Sequence, residues 1–253
     1  MKKVLLVAFL LMFAISSFTM AKGDDSKFYF DAGLKGGYGL TMFMNNNIFS
    51  NKYVVTEFSF GPSFGARLGG NFNENNSINF EFLYSGFNQK YTVTDQKDSL
   101  RWNKTISYST FDFAFLYRHF VNGSYVEIGP EMASIHSATE TNSITGKSDV
   151  SKDFVPNYYA AIAGFGANFL GNDNVSVMAG IRATYALSDI ISDAGGKSTD
   201  HSYPLNDQFY KTSNNSYKPT NPLTVRIIVE VSLDLGYFTR SNCNKRRTKF
   251  VTF

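Results

Sequence analysis

Eight stretches of alternating apolar and polar residues, joined in turn by short turns and long polar segments, predict an all-β chain. The expected fold is an eight-stranded antiparallel, up-and-down transmembrane β-barrel, because an even strand number with connections of alternating length is the plan of such barrels. Composition agrees. The 253-residue chain is 43% hydrophobic and 18% charged, below the ~25% usual for soluble domains, and it carries Phe 25 and Tyr 15 against Trp 1. Its abundant aromatics argue against disorder.

The chain opens with an export pattern. Lys2 and Lys3 precede an uncharged run from Val4 to Ile15, and small residues follow up to Thr19-Met20-Ala21. Lys22-Gly23-Asp24-Asp25-Ser26 then forms a polar junction. Residues 1–21 therefore read as a cleaved signal peptide. The apolar run is shorter than the ~20 residues of a spanning helix. Cys243, the one cysteine, excludes an internal disulfide framework and a cysteine-based metal cluster. With no cysteine closing the apolar run, a lipoprotein anchor is excluded too.

The strands follow in order. In the first, Phe28, Phe30, Ala32, Leu34, Tyr38 and Leu40 share one face, with Asp31, Lys35 and glycines on the other. In the second, Phe58, Phe60, Pro62, Phe64, Ala66, Leu68 and Phe72 oppose Glu57, Ser59, Ser63, Arg67 and Asn71. After the turn Asn73–Ser77, the third aligns Ile78, Phe80, Phe82 and Tyr84. The fourth sets Phe111, Phe113, Phe115 and Tyr117 against Asp112, Ala114 and Arg118. Asn122-Gly123 is a hairpin signal of the kind that needs positive φ. The fifth strand alternates Val126, Ile128, Pro130 and Met132 with Glu127 and Glu131. The sixth, Asn157 to Phe169, is apolar or glycine on both faces, so its facing stays open. Gly171–Asn174 closes that hairpin. The seventh strand puts Val175, Val177, Ala179, Ile181, Ala183, Tyr185 and Leu187 on one side, and the eighth does the same with Leu223, Val225, Ile227, Val229, Val231, Leu233, Leu235 and Tyr237. The long polar connections fall near 42–56, 88–104, 136–154 and 189–221. The expected division is a signal peptide over 1–21, a barrel over 22–239 and a basic tail over 240–253.

A soluble sandwich would alternate as well, so the faces decide. The strands exceed the ~5–6 residues of soluble sheets and reach the ~9–11 of a tilted spanning strand. Their apolar faces stay free of charge throughout. Tyr38, Phe72, Tyr84, Tyr117, Phe120, Tyr125, Tyr185, Tyr237 and Phe238 gather near strand ends, where interfacial aromatic girdles belong. The expected site is the bacterial outer membrane, with termini and short turns in the periplasm.

The export signal, the eight alternating strands and the glycine- and aromatic-rich first strand, Phe28 to Leu40, resemble the small outer-membrane β-barrel domain proteins of Bacteroidetes, the PorT-like family. The resemblance spans the mature chain and rests on patterns. It implies a barrel without catalytic residues, in a group of which PorT itself is associated with protein secretion.

With the apolar faces toward lipid, the lumen is expected to hold Asp31, Lys35, Glu57, Arg67, Glu81, Asp112, Arg118, Glu127, Glu131, Arg182, Arg226, Glu230 and Asp234. An eight-stranded barrel of OmpA/OmpX-like size is just wide enough for side chains to fill it. Such charges then need one another, because an isolated buried ion is costly. The expectation is a salt-bridged plug, with a narrow solute path as the alternative.

Other motifs carry little chemistry. Gly146-Lys147-Ser148 and Gly196-Lys197-Ser198 lack the upstream glycine of a phosphate-binding loop, since Thr141 and Ile191 stand there. His136 and His201 share long loops with acidic residues, the pattern a rim hydrolase would use, but the spacing is not diagnostic. No cofactor, no metal and no catalysis are expected. The five positive charges of the tail, Arg240, Lys245, Arg246, Arg247 and Lys249, exceed the formal +3 of the whole chain, so nucleic-acid binding does not follow from the charge. Expected partners are outer membrane lipids, the barrel-assembly machinery during biogenesis, and an extracellular or periplasmic protein. Tyr203, Phe209, Tyr210 and Tyr217, in the longest loop, are the aromatics that recognition surfaces favour. The function expected is structural, adhesive, or associated with assembly or secretion, exerted through the loops.

Overall fold

The computed structural model describes residues 28–73, 75–94, 100–171, 175–197 and 217–235. The expected signal peptide, the basic tail with Cys243, and Tyr203, Phe209 and Tyr210 lie outside the described residues. Among the described residues, ten strands form one antiparallel sheet: β1 (Tyr29–Met44), β2 (Val54–Glu57), β3 (Ser59–Asn71), β4 (Asn76–Thr94), β5 (Arg101–Val121), β6 (Ser124–Asn142), β7 (Gly146–Asp149), β8 (Asn157–Gly171), β9 (Val175–Ala186) and β10 (Asn221–Asp234). Eight of them close in the ring β1-β3-β4-β5-β6-β8-β9-β10, and β10 returns to β1 in a register running from Asp31↔Asp234 to Met44↔Asn221. Closure removes the free edges that an open sheet would expose. β2 and β7 pair with β4 and β6 at the loop end and lengthen the wall there.

Local chemistry sets the turns. Asn122 and Gly123 take φ values of 49° and 81°, the geometry that matches strand twist in a two-residue hairpin. Between β3 and β4, the Phe72 N–H donates to the Asn76 carbonyl at 3.0 Å.

The inward faces alternate long charged residues with glycine, which lets large side chains share a narrow interior. Lys35 stands between Gly33 and Gly37 on β1, and Arg67 between Gly65 and Gly69 on β3. A Cβ at Gly69 would overlap the Asp31 carboxylate and the Arg67 guanidinium. On β8, Tyr158, Ala160 and Ile162 turn inward, while Tyr159 and Phe165 turn outward. This settles the facing that the sequence left open.

The polarity of the wall inverts part-way up. Low on β4, Ile78, Phe80, Phe82 and Tyr84 face out, and Ser77, Asn79, Glu81 and Ser85 are buried inside. Above Gly86 the buried residues are Phe87, Gln89, Tyr91 and Val93, while Asn88, Lys90 and Thr92 face out. β5 repeats this: Phe111 to Tyr117 supply the apolar outer face, but above them Ser107, Thr105 and Asn103 face out over buried Tyr108, Ile106 and Trp102. Apolar side chains point away from water wherever water lies. Below the inversion lipid is outside, and above it water is.

This corrects the reading of 88–104 and 136–154 as loops. β4 continues to Thr94, β5 begins at Arg101 and β6 runs to Asn142. These segments keep period two with the faces exchanged, so a search for apolar outer faces passes over them. The segment 42–56 is also largely ordered, as the end of β1, the one-turn helix α1 (Asn46–Phe49) and β2. Asn45 caps α1, accepting from the Asn47 N–H at 2.8 Å.

Candidate functional site

At membrane level the interior is an ion-pair lattice. Glu81 accepts from Lys35 and lies 2.6 Å from Arg182. Glu127 holds Arg182 at 2.6 Å and Arg118 at 2.9 Å. Glu230 gathers Lys35 at 3.1 Å, Arg67 at 2.7 Å and Arg118 at 2.9 Å. Arg67 also reaches Asp31 at 2.9 Å and donates to Asn79. Each of the three glutamates thus bridges cations from different strands, which offsets the desolvation that would make lone buried charges prohibitive.

A second tier lies toward the loop end. Asp112, Glu131 and Arg226 are buried beside Ser85, Thr110 and Tyr108. Arg226 donates to Ser85 Oγ at 3.3 Å and to the Gly86 carbonyl at 3.1 Å. Across both tiers, five cations (Lys35, Arg67, Arg118, Arg182, Arg226) face six carboxylates (Asp31, Glu81, Asp112, Glu127, Glu131, Glu230). Asp234 stands half-buried at the turn-end mouth, opposite Asp31.

Two sequence expectations need correction. Glu57 is exposed on the outer face at the loop end, where it accepts from the Thr92 hydroxyl. The break between β2 and β3 leaves both Glu57 and Phe58 outside, so the alternation slips by one residue there. Tyr125 is not part of an interfacial girdle. It is buried in the lumen, its ring 4.4 Å from the Arg118 guanidinium carbon, a cation–π contact.

Above the charges sits an apolar plug. Phe43 and Phe87 stack with ring centroids 4.8 Å apart, Phe87 and Tyr108 at 4.6 Å, and Phe154 lies 5.8 Å from Tyr108. Trp102, Ile106, Ile48 and Ile190–Ile191 complete it. The start of the longest loop is therefore core, because Ile190 and Ile191 are fully buried. The long polar connection 189–221 therefore begins inside the barrel and not in solvent.

The base of that loop is tied by one carboxylate. Asp189 accepts from the Ile191 N–H at 3.1 Å, from the Thr220 N–H at 3.0 Å and from the Tyr217 hydroxyl. Asn45 donates to Thr220 Oγ1 at 2.7 Å. Tyr217, expected as a recognition residue, thus spends its hydroxyl on the loop base. Partial burial, reinforced by the hydrogen bond to Asp189, holds its phenol above the usual tyrosine range. Asp189→Ala is expected to cost about 1.5–3 kcal/mol locally. Amide exchange at Ile191 and Thr220 should accelerate by roughly tenfold to a hundredfold, while mid-barrel amides stay unchanged.

The remaining motifs are structural. Gly146-Lys147-Ser148 forms most of β7, a strand, so the helix that a phosphate loop requires is absent there. His136 is exposed on the outer wall, its ring 5.5 Å from that of Phe111, at the bulge where Ser109 and Thr110 pair with Ser137 and Ile135. His201 lies outside the described residues. Among the described residues, no group of three or more His, Cys, Asp or Glu is placed to hold a metal ion.

Residues 5–218 match the family model described as the outer membrane protein beta-barrel domain. The chain belongs to the outer membrane protein beta-barrel domain family. Its place is therefore the bacterial outer membrane, and the inverted wall above Gly86 is the part of this family member that leaves the bilayer. Similar solved structures are also outer membrane barrels, though distant. Neisserial surface protein A is 12% identical, with 85% of this chain and 100% of that chain covered and a TM-score of 0.38. OprG from Pseudomonas aeruginosa is 9% identical over 84% and 98%, with a TM-score of 0.40. Ail of Yersinia pestis, solved with the heparin analogue sucrose octasulfate, is 10% identical over 81% and 98%, with a TM-score of 0.33. No curated protein matches the sequence.

Proposed function

We propose that this family member is a closed, non-catalytic barrel whose work is done by its extracellular part, in adhesion, envelope structure, or assembly and secretion. The observation that carries the reading is the filled interior: an ion-pair lattice below, and an apolar plug above it. Eight strands leave room for side chains and little else. Meanwhile the wall continues above the membrane with Asn88, Lys90, Thr92, Asn103, Thr105 and Ser107 facing water, a broad polar surface on a rigid support. The aromatics Tyr203, Phe209 and Tyr210 in the longest loop add contact area of the kind binding surfaces use. Outer membrane lipids and the barrel-assembly machinery are its partners in the envelope, and an extracellular or periplasmic protein is its target. The PorT-like subgroup and cleavage of residues 1–21 belong to this proposal.

Two measurements test it. Purified protein in planar bilayers should show no stepwise conductance, whereas reproducible steps would favour the narrow transporter. Trypsin added to intact cells should cut between Lys197 and Lys218 and leave a membrane-embedded core held at the Asp189 base. Cleavage seen only after the outer membrane is breached would reverse the topology. Crosslinking in whole cells followed by pull-down then reports which protein touches the loops.

A further inference from the structure

The second tier of the lumen has a charge imbalance and a cavity at the same place. The lower tier balances, with four cations on four carboxylates held by the ion pairs described above. Arg226 is then left to face both Asp112 and Glu131. All three line one cavity with room for about one water-sized particle. Asp112 is 4% exposed, and its Oδ1 has no hydrogen-bond partner; Nε of Arg226, which lines the same cavity, has none either. A buried carboxylate oxygen without a donor is rare and costly, and this one belongs to a residue that lines a particle-sized space.

We infer that this cavity binds one monovalent positive charge, a proton or a Na⁺-sized cation, between Asp112 and Glu131. The wall favours a small hard cation over anything larger or more highly charged. Carboxylate and hydroxyl oxygens from Asp112, Glu131, Ser85 and Thr110 supply the ligands, and the Arg226 guanidinium opposes a divalent ion. Arg182 on β9 and Glu81 on β4 face the pair from below but are held by each other at 2.6 Å, and Tyr158 on β8 closes the cavity beside Tyr108. The site lies beneath the apolar plug, so its occupant exchanges only when the outer part of the barrel opens.

Linkage supplies the test. A cation bound by the folded chain alone changes the unfolding equilibrium tenfold for each tenfold change in its free concentration, while the site is saturated. Folded protein in detergent is unfolded in urea across a pH series, and across a NaCl series at constant ionic strength made up with N-methylglucamine chloride. A tenfold change per pH unit that is independent of Na⁺ identifies the proton. A tenfold change per tenfold Na⁺ at fixed pH identifies the metal ion. In either case Asp112→Asn and Glu131→Gln, each removing one negative charge, should abolish the dependence without loss of folding. Should one variant fail to fold, the other suffices. Wild-type protein with neither dependence, or a dependence that survives in every folded variant, would overturn the inference.

Discussion

Glu230→Gln is expected to destabilise the barrel by about 3–5 kcal/mol, because one buried cation loses its counter-charge in a site closed to water. Glu230 alone ties together Lys35, Arg67 and Arg118, from three other strands. The substitution keeps the side chain's shape, so the loss measures charge and not packing. Urea unfolding followed by the gel-mobility difference between folded and unfolded barrel reads it directly. A companion variant separates two explanations. Glu230→Gln combined with Arg118→Met restores neutrality, and it should recover part of the loss if the lattice is held by charge balance. If the double variant is less stable than both singles, hydrogen-bond geometry matters more than balance.

Val229→Arg is the second large effect, at roughly 2–4 kcal/mol for a charge at the bilayer midplane. Val229 is the middle one of seven outward aliphatics from Leu223 on β10 to Leu235 just past its end, and it is 48% exposed to what must be lipid. Its neighbour Ile228 points inward and is 3% exposed. Arg at 228 meets the lumen instead, where a Cβ on Gly37 would already crowd the Ile228 Cδ1. Its cost should therefore come from overpacking and stay the same in thin and thick bilayers. The cost at 229 should rise with bilayer thickness. If Val229→Arg inserts and unfolds like wild type, the face assignment of β10 is wrong.

The membrane-level wall was legible in the sequence because one solvent, lipid, imposes one sign on the alternation: Phe80, Phe82, Phe113, Ile227 and Val229 all read outward, as they are found. The outer wall was not legible by the same rule. Tyr91, Trp102 and Ile106 keep period two, but they are apolar on the inner face. A pattern search that tracked a change of sign along one strand, near Gly86 and Ser109, would have found it. Glu57 was misplaced for a different reason. Alternation counts residues, and the break between β2 and β3 adds one without any turn residue to announce it. The ion-pair lattice was not legible as a whole: Lys35 with Glu230 and Arg118 with Glu127 are opposite neighbours in a ladder, but Glu81 and Arg182 meet across the lumen.

The exchange of faces on β4 and β5 joins two kinds of protein in one tube. Below Gly86 the surroundings are hydrocarbon, so unfolding within the bilayer would expose little new apolar surface to water. Above it, unfolding hydrates Phe43, Phe87, Tyr91, Trp102 and Ile106, which are 3% exposed or less. Hydration of apolar surface is what gives unfolding its heat capacity. The outer part should therefore carry most of that heat capacity, weaken on cooling as water-soluble domains do, and yield first to urea. Thermally, a single closed sheet would behave as a globular cap standing on a stem that hardly responds to temperature.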